Sequence, residues 1–184
     1  MHLSLIALAS LSAACVSMLA AWIDHRTGRI PNALTLPTTA VGLVMHGAVG
    51  GVNAGMTSAL GVIAGLVVPA VLYKVSSGKA IGGGDVKLFA ALGALMGPML
   101  VIETQFGSFV LLAVFAIIRL AFRGALLRVL GNSMMLLFNP FLPKKWRREI
   151  QPEAMTEMRL GPAIAVAVLS TLTVERYGRM LPWL

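Results

Sequence analysis

The sequence predicts an all-α integral membrane protein of about six transmembrane helices, with an additional helix lying in the membrane interface between the fifth and the sixth. Two observations carry this expectation. Hydrophobic residues make up 58% of the 184 positions and charged residues only 12%, where soluble domains run near a quarter charged, and mean hydropathy is +0.86. The apolar residues also fall in runs long enough to cross a bilayer, which takes roughly 20 residues for a hydrocarbon core of about 30 Å. Six such runs form a single transmembrane domain with little extramembrane mass, so no soluble catalytic domain is expected. A net charge of +8 would point to nucleic acid in a soluble protein. In a membrane protein its distribution carries the information, and the partner implied is the lipid bilayer, not nucleic acid.

The first span covers residues 3–23. It could be taken for a cleavable signal, but the charged n-region is missing and the run continues past Cys15 to Ile23. Cys15 is the single cysteine, which leaves no disulfide framework or cysteine-based metal site, and helix packing is its expected role. The second span, 33–51, starts just after Pro31 and Asn32, where a first helical turn needs no proline N–H. Gly51-Val52-Asn53 reads as a tight turn into the third span, 54–73. The fourth, 86–102, follows Asp85, and Glu103-Thr104-Gln105 reads as a second tight turn into the fifth, 106–122. Residues 123–143 are apolar but contain Arg128 and Asn132 and end in Asn139-Pro140. An arginine near mid-span is expensive, so this segment is expected to lie in the interface. A polar loop, KKWRREIQPEAMTEMR, leads to the last span, 160–174.

Three connections hold nearly all the charge: 24–32, 74–85 and 123–159. If they share one side, every lysine and arginine except Arg176 and Arg179 lies there. The positive-inside rule makes that side cytoplasmic and puts both termini on the periplasmic side.

Asp24 closes the first span and Asp85 precedes the fourth. Two whole spans separate them, so both carboxylates return to one membrane face. Both abut a Pro- or Gly-bearing loop, DHRTGRIPN and GGGD. Two carboxylates brought close share one proton, because both cannot ionise cheaply side by side. Such a pair can deprotonate an attacking water and protonate a leaving amine, while Gly82, Gly83 and Gly84 permit close approach of a substrate strand. A plainer reading fits the same positions, with Asp24 an interfacial loop residue and Asp85 an N-terminal cap of the fourth helix.

GGGDVKL, residues 82–88, resembles the G-x-G-D-x-K-L signature of the type IV prepilin peptidases, membrane aspartyl proteases, and AALGALMG resembles its usual continuation. Asp24 followed by Ile30-Pro31-Asn32 resembles the family's first aspartate followed by I-P-N. Pro162, in RLGPAIAVA, resembles a weaker third feature, with Ala163 where an aromatic is usual. The resemblance implies that Asp24 and Asp85 are the catalytic pair. It also implies a prepilin partner, cut after a glycine that precedes an apolar helix, at the cytoplasmic surface of the bacterial inner membrane. Long members carry a cytosolic domain with paired cysteines and methylate the new N-terminus. With 23 residues before Asp24 and no CxxC, cleavage without methylation is expected, as in the short peptidases of Flp, or tight-adherence, pili.

Lys87 matches the signature, and either snorkelling to lipid phosphate or support of the site fits it. Pro31 and Asn32 serve the start of the second span. His25 fits a solvated loop, and His46 is expected to bond a neighbouring helix. Neither has a partner at metal-ligand spacing, so no metal or organic cofactor is expected. Two functions of other classes compete: a small proton-coupled carrier, in which the aspartates relay protons, and a secretion-system scaffold that docks through its charged loops.

Overall fold

The computed structural model describes residues 2–76, 78, 81–122 and 160–180. All regular structure among them is helical: α1 (His2–Thr27), α2 (Asn32–Val75), α3 (Gly83–Met96), α4 (Pro98–Phe122) and α5 (Gly161–Met180). The chain divides into two units, one of Met1–Val110 with Arg159–Leu184 and one of Leu111–Met158. Of the second, only 111–122, the end of α4, is described. The interfacial helix expected over 123–143 lies outside the described residues.

Helix α2 has 44 residues and would reach about 66 Å if straight, twice the hydrocarbon thickness. It is not straight. Gly51 adopts φ 78°, ψ −176° inside it, a left-handed conformation that glycine enters without steric cost, and the chain doubles back there. A Cβ added to Gly55 would lie 3.2 Å from the Gly47 Cα, whereas residues eight apart in one helix are separated by about 12 Å. Ala94 likewise meets residues from both arms, Gly42 and Ser58. The reversal agrees with the turn expected around Gly51.

The second expected turn, at Glu103-Thr104-Gln105, is overturned: all three residues lie within α4. The break comes earlier, at Gly97, with φ 80°, ψ 176°. Pro98 disfavours helical geometry in the residue before it, and glycine takes the alternative. The fourth rod is therefore 83–96 and the fifth begins at 98, in place of 86–102 and 106–122. Thr104 and Gln105 are buried because they face protein, not water.

Polarity is distributed as in a membrane protein. Ser17, Thr35, Ser58, Thr104, Gln105 and Ser108 are buried, while Leu11, Val44, Val52, Ile63, Phe106 and Phe115 are exposed. Among the described residues, three stretches are long and apolar enough to cross a bilayer: Leu5–Thr27, Asn32–Val75 and Pro98–Arg119. Cys15 is exposed, so the expectation that it packs between helices fails; it stands among the exposed apolar side chains of α1. His46 also departs from expectation, since its Nδ1 pairs at 2.9 Å with the Gly42 carbonyl of its own helix.

Helix α3 packs chiefly on α2, and α1 packs on α2, α3 and α5. Proline creates two demands within this bundle that polar side chains meet. Pro69 has no N–H for the Gly65 carbonyl one turn below, and Gln105 Nε2 donates to that oxygen at 3.0 Å and to Ala64 O at 3.1 Å. Pro98 likewise has none for Ala94, whose carbonyl accepts from Ser58 Oγ at 2.6 Å. In lipid such carbonyls find no water, so the partners hold the bundle together.

Gln105→Leu is expected to destabilise the protein by about 1 kcal/mol, the scale of interhelical hydrogen bonds in membranes. The loss should shrink when Pro69→Ala restores the N–H; unfolding of both variants in mixed micelles measures it.

Candidate active site

The ends of α1, α2, α3 and α5 meet around two aspartates. Asp24 lies in the last turn of α1 and is only 6% exposed. The chain then closes that helix with a Gly28 N–H to Asp24 O bond of 2.8 Å and Gly28 at φ 69°. Pro31, extended at φ −72°, ψ 142°, is the N-cap of α2, and Asn32 its first helical residue. The Pro31 carbonyl accepts from the N–H groups of Leu34 and Thr35.

At the other motif, Gly82 is the N-cap of α3 and Asp85 its third residue. Asp85 Oδ2 accepts from the Gly82 N–H at 3.2 Å, the acidic half of a capping box. The capping role weighed from sequence is thus present in part: Asp85 caps from inside the first turn, and Gly82 occupies the N-cap itself.

The two motifs are in direct contact. A Cβ added to Gly84 would lie 3.1 Å from the Ile30 Cβ and carbonyl oxygen and 3.2 Å from its nitrogen, so Gly84 rests on the Ile30 backbone. Lys87 Nζ donates to Asn32 Oδ1 at 2.8 Å, which ties the lysine of one motif to the asparagine of the other. Gly83 lies beside Tyr73, whose ring also sits 3.1 Å from a Cβ added to Gly78. The eight residues singled out in the sequence therefore gather at one end of the bundle. His25 is exposed there.

Three neighbours complete the site; Tyr73 and Gly161 escaped the sequence reading, and Ile30 entered it only as part of Ile30-Pro31-Asn32. Ile30 is a buried wall, 8% exposed; Tyr73 flanks the glycine loop; and Gly161, at the start of α5, donates its N–H to Asp24 Oδ2 at 3.2 Å. The Gly-Pro pair opening the last apolar run was the one available signal for Gly161.

Asp85 precedes the apolar run of α3 and so lies at the edge of the spanning region. Burial pushes its pKa up to about 6 from 3.8; the Asp24 charge adds to the rise, and the Gly82 N–H opposes it. Below about pH 6 Asp85 is therefore held protonated, and above it the carboxyl ionises against its buried setting and the Asp24 charge. Among the described residues, no three His, Cys, Asp or Glu side chains are grouped so as to hold a metal.

The carbonyl stretch of protonated Asp85, followed by infrared spectroscopy in nanodiscs, is expected to disappear with a midpoint near pH 6. In Asp24→Asn the midpoint should fall, because a like charge is removed. It should stay above 3.8, because burial is the larger cause and remains.

Neither a curated protein nor a solved structure matches the chain. The profile of the type IV leader peptidase family does, over residues 11–117, a stretch that includes both aspartates, the I-P-N segment and the glycine loop. That match covers more than half of the chain, and this membrane protein belongs to the type IV leader peptidase family, with the peptidase activity of the aspartic type that membership carries.

Proposed function

We propose that the chain is a prepilin leader peptidase that uses Asp24 and Asp85 as its catalytic pair. Its substrate is a Flp-type prepilin, cut after the glycine that joins a basic leader to an apolar helix. The observation that carries this reading is the junction of the two motifs. Gly84 rests on Ile30, Lys87 bonds Asn32, and the Asp24 charge acts on Asp85.

In the singly protonated pair, the ionised carboxylate takes a proton from a water as that water attacks the peptide carbonyl. The protonated partner hydrogen-bonds the developing oxyanion and then supplies the proton that the departing amine needs. The two titrate as a unit, so the roles belong to the pair. The glycine loop offers backbone without side chains beside Asp85, where an extended substrate strand can lie.

We place the site at the cytoplasmic face of the inner membrane, with all six rods crossing the bilayer and both termini periplasmic. The positive-inside bias of the loops supports that orientation. Exposed Trp22, with the Arg26 guanidinium 4.7 Å from its ring centroid, supports a membrane boundary at this level, where aromatic side chains anchor. A proton carrier would also use coupled carboxylates, but carriers bind near the midplane, and both aspartates here lie at helix ends.

Asp24→Asn and Asp85→Asn are each expected to lower processing of a co-expressed prepilin by at least about 10³-fold while the protein remains inserted. The amide keeps the shape but can neither accept the proton nor share it. The double variant should be hardly worse than either single one; Lys87→Ala and His25→Ala should retain measurable cleavage. Near-normal mature pilin on a gel from Asp85→Asn would leave only the capping role.

A further inference from the structure

We propose that Gly161, the first residue of α5, is a positioning residue for Asp24, with its N–H fixing one carboxylate oxygen and its missing side chain providing the space that carboxylate occupies. This rests on the reading of Asp24 as half of the catalytic pair.

Three observations carry it. The Gly161 N–H donates to Asp24 Oδ2 at 3.2 Å in a buried setting. A Cβ at position 161 would lie 2.7 Å from that oxygen, 2.8 Å from the Asp24 Cβ and 3.1 Å from its Cγ. Gly161 is also absent from the glycines with positive φ, which are Gly28, Gly51, Gly78 and Gly97 among the described residues. Glycine is therefore required at 161 for space and not for backbone conformation.

The neighbouring residues narrow the alternatives. Pro162 has no N–H, so of the first two helical residues of α5 only Gly161 has a donor to offer. Leu160, Ile164 and Val168 are buried, and α5 packs along α1, so the helix cannot retreat to make room for a side chain. An aspartate side chain rotates about two bonds. Pinning Oδ2 sets the plane of the carboxylate, and a base must be held within hydrogen-bond reach of the water it deprotonates. The contact lies beyond residue 117, where the family match ends. It joins the C-terminal helix to a site otherwise built from the first half of the chain.

The test is Gly161→Ala in the full-length protein in nanodiscs, assayed on a peptide with a basic leader, a glycine and an apolar helix. Displacement of the carboxylate by about 1 Å should lower kcat by about 100-fold with KM within a few-fold of wild type. The alkaline limb of the pH–rate profile should also move, because a displaced Asp24 charge acts differently on Asp85. Gly47→Ala, whose added Cβ meets nothing within 4 Å, should match wild type. Wild-type kcat and an unmoved alkaline limb in folded Gly161→Ala would overturn the assignment.

Thermal melting provides a readout that needs no substrate. Gly161→Ala should melt several degrees below wild type, and the same change in an Asp24→Gly background should cost little, since the atoms it strikes are gone. If Gly161→Ala fails to fold, Asp24→Gly/Gly161→Ala should fold; failure of the double variant, or an undiminished melting loss in the Asp24→Gly background, overturns the contact. Full activity of Asp24→Asn would instead refute the catalytic pair, whatever the melting cycle shows.

Discussion

Helix α3 touches the α2 hairpin backbone to backbone, and the rest of the molecule is arranged around that contact. A Cβ on Gly61 would run into the Gly93 carbonyl, one on Gly93 into the Gly61 carbonyl, and one on Gly65 into the Phe89 carbonyl. Between lipid-embedded helices the hydrophobic effect supplies no attraction, so packing must come from dispersion and interhelical hydrogen bonds, both of which need close approach. Small residues provide it. With the hairpin pressed this close, Val86 and every residue from Leu88 to Leu95 are buried. The same proximity lets Ser58 reach the Ala94 carbonyl.

The contact also determines where Asp85 goes. Helix α3 leaves the site beside the first arm of α2, in parallel with it: Lys87 meets Asn32 near the start and Ala94 meets Gly42 further along. The glycine packing continues to the end of the helix, where Gly84 lies on Ile30. The loop after Asp24 and the loop before Asp85 are thus one surface. A side chain at 84 would separate them and withdraw the Asp24 charge from Asp85.

Much of this was legible in the sequence because lipid constrains it strongly. Apolar runs located the helical rods, and the even number of rods between Asp24 and Asp85 put them at one end. The reversal at Gly51 showed as a glycine in a polar interruption. The turn assigned to Glu103-Thr104-Gln105 misled for a physical reason: in a membrane protein a polar residue inside a helix marks an internal partner as readily as a water-facing loop. Gln105 answers to Pro69, more than thirty residues away, a pairing that no local pattern displays. Cys15 misled in the opposite sense, since an apolar residue in lipid gains little by facing inward. Asn32 and Lys87 each had a local explanation, and only the fold makes them partners. Gly161 was hidden because its role depends on the aspartate it faces and not on its own conformation.

Two identical functional groups have been given unequal surroundings. Asp24 stands in the last turn of α1, where the helix dipole disfavours negative charge, and the N-terminal end of α5 offsets that with an N–H. Asp85 stands at the N-terminal end of its own helix, a favourable position, yet burial there outweighs the single Gly82 donor. Burial and the Asp24 charge thus oppose ionisation of Asp85 and the Gly82 N–H favours it, while Asp24 receives an N–H from another helix, α5. The glycine contacts at 84 and 161 hold the two helix ends that carry these donors against Ile30 and Asp24.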